Sequence, residues 1–330
     1  MKKIIITGGA GYVGSELSSY LAKLGNEIIV YDLMLYGSNN LEKEKNIQVV
    51  NGDIRDTQKF INFAKDCEIC IHLACISNDP SFELNPELGK EINFNSFEPI
   101  LKSCLNIGIK KFIYASSSSV YGVKKEKNIS ENLSLEPLTD YSKYKARCED
   151  ILQRYSSKNF TTCILRPATV CGYSRRQRLD LVVNILTNFA YHNKLIKVFG
   201  GEQLRPNINI NDMIRAYELI INSPNDKING EIFNVGFENH SVNDLSIIVK
   251  QSVENILNCE IKIEKFHSED NRSYHISSNK ITNKLGFQPK FNIQDGVNDL
   301  LNCFKKNILI DPLNNENYYN IKKMKLTKLK

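Results

Sequence analysis

Along the first half of the chain, short runs that are apolar throughout alternate with longer stretches whose apolar residues recur every three or four positions. Residues 3–7, 27–31, 47–50, 68–73, 111–115 and 161–165 are runs of the first kind. A strand buried on both faces reads this way, because neither side has to meet water. Residues 12–24, 57–65, 86–106 and 139–156 carry the helical period, with Gly25 and Gly108 placed to end helices. The alternation predicts a parallel sheet with helices on both faces, and right-handed crossovers make it doubly wound.

After Arg166-Pro167 the rhythm changes. Helices are predicted at 179–191, 212–221 and 242–257, and strands at 196–199, 231–235 and 261–266. The chain is therefore read as α/β, with a doubly wound domain over 1–166 and a smaller C-terminal α/β lobe over 167–330. That lobe is expected to interleave with the last strands of the sheet. No internal repeat is apparent.

The turn after the first strand is Thr7-Gly8-Gly9-Ala10-Gly11-Tyr12-Val13-Gly14. Gly8, Gly11 and Gly14 stand where a dinucleotide site needs glycine. One makes the tight turn, one admits a pyrophosphate to the backbone, and one lets the helix pack close to the strand. The N–H groups of Tyr12 and Val13 then open a helix toward the phosphates. Asp32 ends the second strand, placed to hydrogen-bond the adenosine ribose and to repel a 2′-phosphate. NAD is thus expected rather than NADP, on a Rossmann sheet. Asp53 and Ile54 follow the third strand, where a carboxylate can meet the adenine amine.

Composition narrows the class. The chain has 330 residues, 42% hydrophobic and 24% charged, enough apolar material for a sizeable core. The net charge is +6, but Lys322, Lys323, Lys325, Lys328 and Lys330 supply five of those charges, leaving a nearly neutral body. No basic run in that body suggests nucleic acid. The Lys-rich end, about 318–330, is expected to be a solvated tail. Nine cysteines sit mostly in apolar runs, as buried thiols of a cytoplasmic protein do. Cys67 and Cys70 form a C-x-x-C without a second ligand pair, so no metal is expected. No apolar stretch reaches the roughly 18 residues of a membrane span.

The candidate chemistry lies in two segments. Tyr141 and Lys145 are at i and i+4 on a predicted helix and share a face. An ammonium beside a phenol favours the phenolate, which suits Tyr141 as acid or base, with Lys145 also near the nicotinamide ribose. Upstream, Ser116-Ser117-Ser118-Ser119-Val120-Tyr121-Gly122 begins where the fifth strand ends. Ligands of open α/β sheets bind at those carboxyl ends.

Taken together, the glycine loop, Gly52-Asp53, His72-Leu73-Ala74, Asn93, the serine-rich loop ending Val-Tyr-Gly, and Tyr-x-x-x-Lys resemble an extended short-chain dehydrogenase/reductase of the nucleotide-sugar epimerase/dehydratase family. The likeness runs from Lys2 to about Asp299. It implies a catalytic hydroxyl at Ser117, Leu73 and Ala74 against the cofactor, and Asn93 supporting its nicotinamide side. It also implies a homodimer and a nucleotide-diphosphate sugar as substrate, with Arg205 and Arg272 clamping the diphosphate. Arg175 and Arg178, in a basic loop, are placed to reach phosphate or a sugar hydroxyl, and Ser117 and Ser118 are also expected to bind substrate. The family's 4,6-dehydratases carry Asp-Glu where Ser118-Ser119 stand, which argues against dehydration. Thr169 replaces an asparagine found in many relatives.

These residues favour a 4-epimerase working through a 4-keto sugar. A net nucleotide-sugar dehydrogenase or keto-reductase would use the same residues. A non-catalytic NAD-binding regulator would not need the tyrosine–lysine pair.

Overall fold

A computed structural model describes residues 1–124, 126, 128–268, 273 and 275–327. The first six strands are β1 (Lys3–Thr7), β2 (Glu27–Asp32), β3 (Ile47–Asn51), β4 (Ile69–His72), β5 (Lys111–Ala115) and β6 (Thr161–Pro167). Next come β7 (Thr169–Cys171), β8 (Leu195–Phe199), β9 (Leu204–Asn209), β10 (Glu231–Val235), β11 (Glu238–Ser241) and β12 (Lys262–Phe266). Seven of these make one parallel sheet in the order β10-β6-β5-β4-β1-β2-β3. The order reverses between β1 and β4, and this opens a crevice at their carboxyl ends.

The apolar runs fill both faces because successive side chains point opposite ways. Ile4, Ile6, Ile28 and Val30 pack on one side with the helices Tyr12–Lys23 and Ile210–Asn222. Ile5, Ile29, Cys70, Phe112 and Tyr114 pack on the other with the helices Phe97–Asn106 and Asp140–Tyr155. A third core joins the helices Val182–Asn193, Val242–Leu257 and Ile293–Lys305 in the second half. β10 pairs with β6 in the main sheet although it follows β7, β8 and β9 in sequence. Among the described residues, no helix is long and apolar enough to cross a membrane.

Three expectations need correction. The helix expected over 86–106 is interrupted: Pro86–Lys90 is followed by a π turn, Glu91–Asn95, before Phe97–Asn106. Such bulges occur often at functional sites, and this one carries Asn93. The short strands β7, β9 and β11 were not foreseen, and they form a separate sheet beside the crevice. The Lys-rich end is not a loose tail up to residue 327. Asn320–Leu326 is a helix, and Tyr319 and Asn320 are buried at its start. Lys328 and Lys330 lie outside the described residues.

Candidate active site

The glycine loop turns between β1 and the helix Tyr12–Lys23. Gly8 has φ +71°, and a Cβ there would stand 2.6 Å from the Ala74 nitrogen. A Cβ on Gly14 would meet the Gly8 oxygen at 2.2 Å. Gly11 caps the helix without a side-chain hydrogen bond, so its first N–H groups are not satisfied by a cap. A cavity of about 420 Å³ lies against this turn, lined by Gly8, Gly11, Tyr12, Val13, Gly14, Asp32, Ile54, Leu73 and Ala74. Asp32 accepts N–H groups of Met34 (2.9 Å) and Ala10 (3.1 Å). Burial pushes its pKa up, against these two donors and Arg176. Uncapped N–H groups, a backbone cradle that a Cβ would fill, and a carboxylate at the end of β2 fit a dinucleotide.

Asp53 and Asn93, of the expected cofactor set, stand back from the cavity. The Asp53 carboxylate is forked by Arg55, with N···O distances of 2.6–3.1 Å. Burial works to raise its pKa, but Arg55 and a backbone N–H outweigh it and hold it low. The cavity reaches Gly52 and Ile54 but not Asp53, whose charge is already matched. Asn93 is buried and bonds both backbone groups of Ile76, at 2.8 and 2.9 Å. It braces the loop after β4, and that loop, not Asn93, lines the cavity.

The expected catalytic groups converge at the other end of the cavity, where Ser117, Ser118 and Tyr141 form the wall. Ser117 caps a short 3-10 turn, Ser118–Tyr121, and its Oγ accepts the Ser119 N–H at 3.1 Å and the Ser119 hydroxyl at 2.8 Å. Tyr141 sits in the first turn of the helix Asp140–Tyr155, which Thr139 and Ser142 close as a capping box. Lys145, one turn on, is 3% exposed. Its Nζ donates to the Ala115 oxygen at 2.7 Å and lies 5.9 Å from the centre of the Tyr141 ring. It stands behind the phenol rather than in the cavity wall.

Behind the serine loop is a buried polar chain. Ser116 donates to Glu149, and Glu149 receives the Arg166 guanidinium as a fork at 2.6–3.2 Å. Arg166 donates to the Tyr121 hydroxyl at 2.7 Å, and that hydroxyl donates to Asn234 of β10 at 2.7 Å. The tyrosine of Val-Tyr-Gly is thereby tied to the sheet.

The arginines expected to bind substrate separate. Arg175 points away from the cavity, across Glu16, Glu44 and Ser19. Its charge is spent joining the second half to the helix Tyr12–Lys23, which corrects the expectation. Arg178 does line the cavity, paired to Asp180 at 2.9 Å and donating to the Ser77 hydroxyl at 3.3 Å. Arg205 lines a smaller neighbouring cavity with Thr169, Ser119 and Asp79. Arg272 lies outside the described residues.

Three wall residues escaped the sequence reading. Asp79 borders both cavities and accepts the Thr139 hydroxyl. Arg176 stacks on Tyr36, 3.5 Å from ring centre to guanidinium carbon, and burial lowers its pKa to about 10. Asn320 reaches in from the C-terminal helix. Only Arg176 had a signal, its place in an unusually basic loop.

A family model described as the NAD dependent epimerase/dehydratase family matches residues 4–236. Over 258 residues the chain is 33% identical to the dTDP-D-glucose 4,6-dehydratase of Dictyostelium discoideum, covering 72% of this chain and 58% of that enzyme's length. It is similar to the UDP-glucuronic acid 4-epimerase of Bacillus cereus, solved with UDP-glucuronic acid and NAD: 27% identity, TM-score 0.81, 92% of this chain and 99% of that one. It is also similar to the UDP-glucose 4-epimerase of Thermotoga maritima, solved with UDP-glucose: 25% identity, TM-score 0.82, 93% and 100% covered.

Proposed function

The chain belongs to the NAD-dependent epimerase/dehydratase family, and from that premise we propose that it is a nucleotide-sugar 4-epimerase. The carrying observation is that Ser117 and Tyr141 share one cavity with the glycine loop, with Lys145 behind the phenol. Bound NAD supplies the acceptor for the hydride of the sugar carbon. Tyr141 takes the proton of the hydroxyl on that carbon at its phenolic oxygen, and Lys145 favours the phenolate by its charge. Ser117 orients the same oxygen. Once the 4-keto sugar has turned its other face, the hydride would go back to the same carbon as Tyr141 returns the proton to its oxygen, so no cofactor is consumed.

The Dictyostelium relative is a dehydratase, and eliminating water calls for an acid and a base beside the sugar. Ser118 and Ser119 offer hydroxyls there, which favours epimerisation. The substrate's diphosphate is assigned to the Arg205 side, where Thr169 and Ser119 also stand.

The test is incubation with a panel of nucleotide-sugars, reading NADH absorbance and separating the products. The proposal expects a C4 epimer and no net NADH. Stoichiometric NADH would make the chain a net dehydrogenase. A 6-deoxy-4-keto product would make it a dehydratase.

A further inference from the structure

Among the described residues, the buried guanidinium nitrogens without a hydrogen-bond partner all lie in one loop. Arg176 is 4% exposed, and its Nε and Nη1 have no hydrogen-bond partner. Arg178 is 9% exposed, and its Nη2 has none either. Unpaired donors of a buried charged group cost free energy unless something fills them. Both arginines line the cavity. Both are close enough to the Tyr12 ring, at the start of the glycine-loop helix, to act on its charge.

We propose that Arg176 and Arg178 bind the diphosphate of the dinucleotide from the side opposite the glycine loop. The chemistry of the donors points there. Asp180 takes Arg178 Nε, which leaves Arg176 Nε and Nη1 and Arg178 Nη2 to an anion, and the helix N-terminus adds partial positive charge. One carboxylate would fill one fork only. A diphosphate offers non-bridging oxygens to both sides at once. Position separates this diphosphate from that of the sugar nucleotide. Arg176 stacks on Tyr36 beyond Asp32, whereas Arg205 lies in the neighbouring cavity beside Ser119. Asn320 fixes the fork: its Oδ1 accepts Arg176 Nη2 at 2.6 Å and the Tyr36 hydroxyl at 3.1 Å.

This inference rests on the dinucleotide site and not on the sugar chemistry, so it stands if the epimerase reading fails. The test is calorimetric titration of the full chain with adenosine, ADP, UDP and NAD. Arg176→Gln is expected to weaken ADP and NAD by roughly 10- to 100-fold, with adenosine and UDP unchanged. A parallel loss for adenosine, an unchanged ADP affinity, or a loss confined to UDP each overturns the proposal. Should Arg176→Gln not fold, Arg176→Lys carries the same test, since it keeps the charge without the fork. A several-fold loss for ADP and NAD, with adenosine and UDP unchanged, supports the assignment, and equal affinities overturn it.

Discussion

The two walls of the cavity treat their polar groups differently. Behind the wall built by the first half, buried polar side chains have protein partners. Lys145 has the Ala115 oxygen, His72 has Thr7, and Glu149 has Arg166 and Ser116. On the wall built by residues 176–178, three guanidinium nitrogens have none. A satisfied network holds reacting groups in place, whereas an unsatisfied one is a binding surface awaiting an anion. Removing a group from the first wall should therefore change chemistry or stability. Removing one from the second should change affinity.

The sharpest break is at Tyr141. Phenylalanine there keeps the ring against the core that contains Phe97 and Tyr114 while deleting the proton carrier. Turnover should fall by about 10²–10⁴-fold, with NAD affinity within a few-fold of the parent. Steady-state rates and cofactor titration check this. Normal turnover would show that the first wall does not carry the chemistry.

Glu149 tests stability on the same wall. Both Glu149 and Arg166 are 2% exposed. Glu149→Ala leaves a buried guanidinium without its carboxylate, a loss of about 3–5 kcal/mol. Urea unfolding should show the midpoint falling. By contrast, Arg176→Gln breaks no ion pair among the described residues and should change the midpoint of the free chain little. If both substitutions destabilise alike, the contrast between the walls is false.

That contrast also explains what was legible beforehand. The glycine loop, Asp32, Ser117, Tyr141 and Lys145 rest on local rules: a turn, a strand end, one helical period. Their spacing in sequence is their spacing in space. Arg176, Asn320 and Asp79 meet the cavity through contacts spanning long stretches of chain, as Asn320 does with Arg176 and Ser77. No periodicity encodes such meetings. The same holds for Arg175, whose basic loop suggested phosphate but whose partners, Glu16 and Glu44, lie far back in the chain. Asp53 failed more locally, because Arg55 two residues on competes for its carboxylate.

Acid should expose the first wall's self-sufficiency. Burial, with Lys145 nearby, lowers the His72 pKa to about 3, so it is neutral in the folded chain. Unfolded, it takes a proton near pH ~6.5. The unfolded state then binds more protons between those values. Stability from this residue is complete above about pH 6.5 and is lost as pH falls toward 3, by about 1.4 kcal/mol per unit. Unfolding free energies at pH 6 and 5, compared with His72→Gln, should differ in slope by one proton. Equal slopes would mean that His72 protonates in place.

The smallest effect should come from Asn320, and it decides whether the second wall is one unit. Its Nδ2 donates to the Ser77 hydroxyl at 2.9 Å, its N–H to Asp180 at 3.0 Å, and its Oδ1 accepts from Arg176. With the Tyr36 hydroxyl also on its Oδ1, it ties the C-terminal helix to three segments around the cavity mouth. Asn320→Ala deletes the side-chain bonds but leaves both arginines and the backbone tie. Losing the neutral bonds costs about 1 kcal/mol, which calorimetry should read as a loss of NAD and ADP affinity of about fivefold. Turnover at saturating substrate should stay near the parent's, since no first-wall group is touched. A fall in turnover with affinity intact would place Asn320 with the catalytic wall, and the division of labour would then not follow the two halves of the chain.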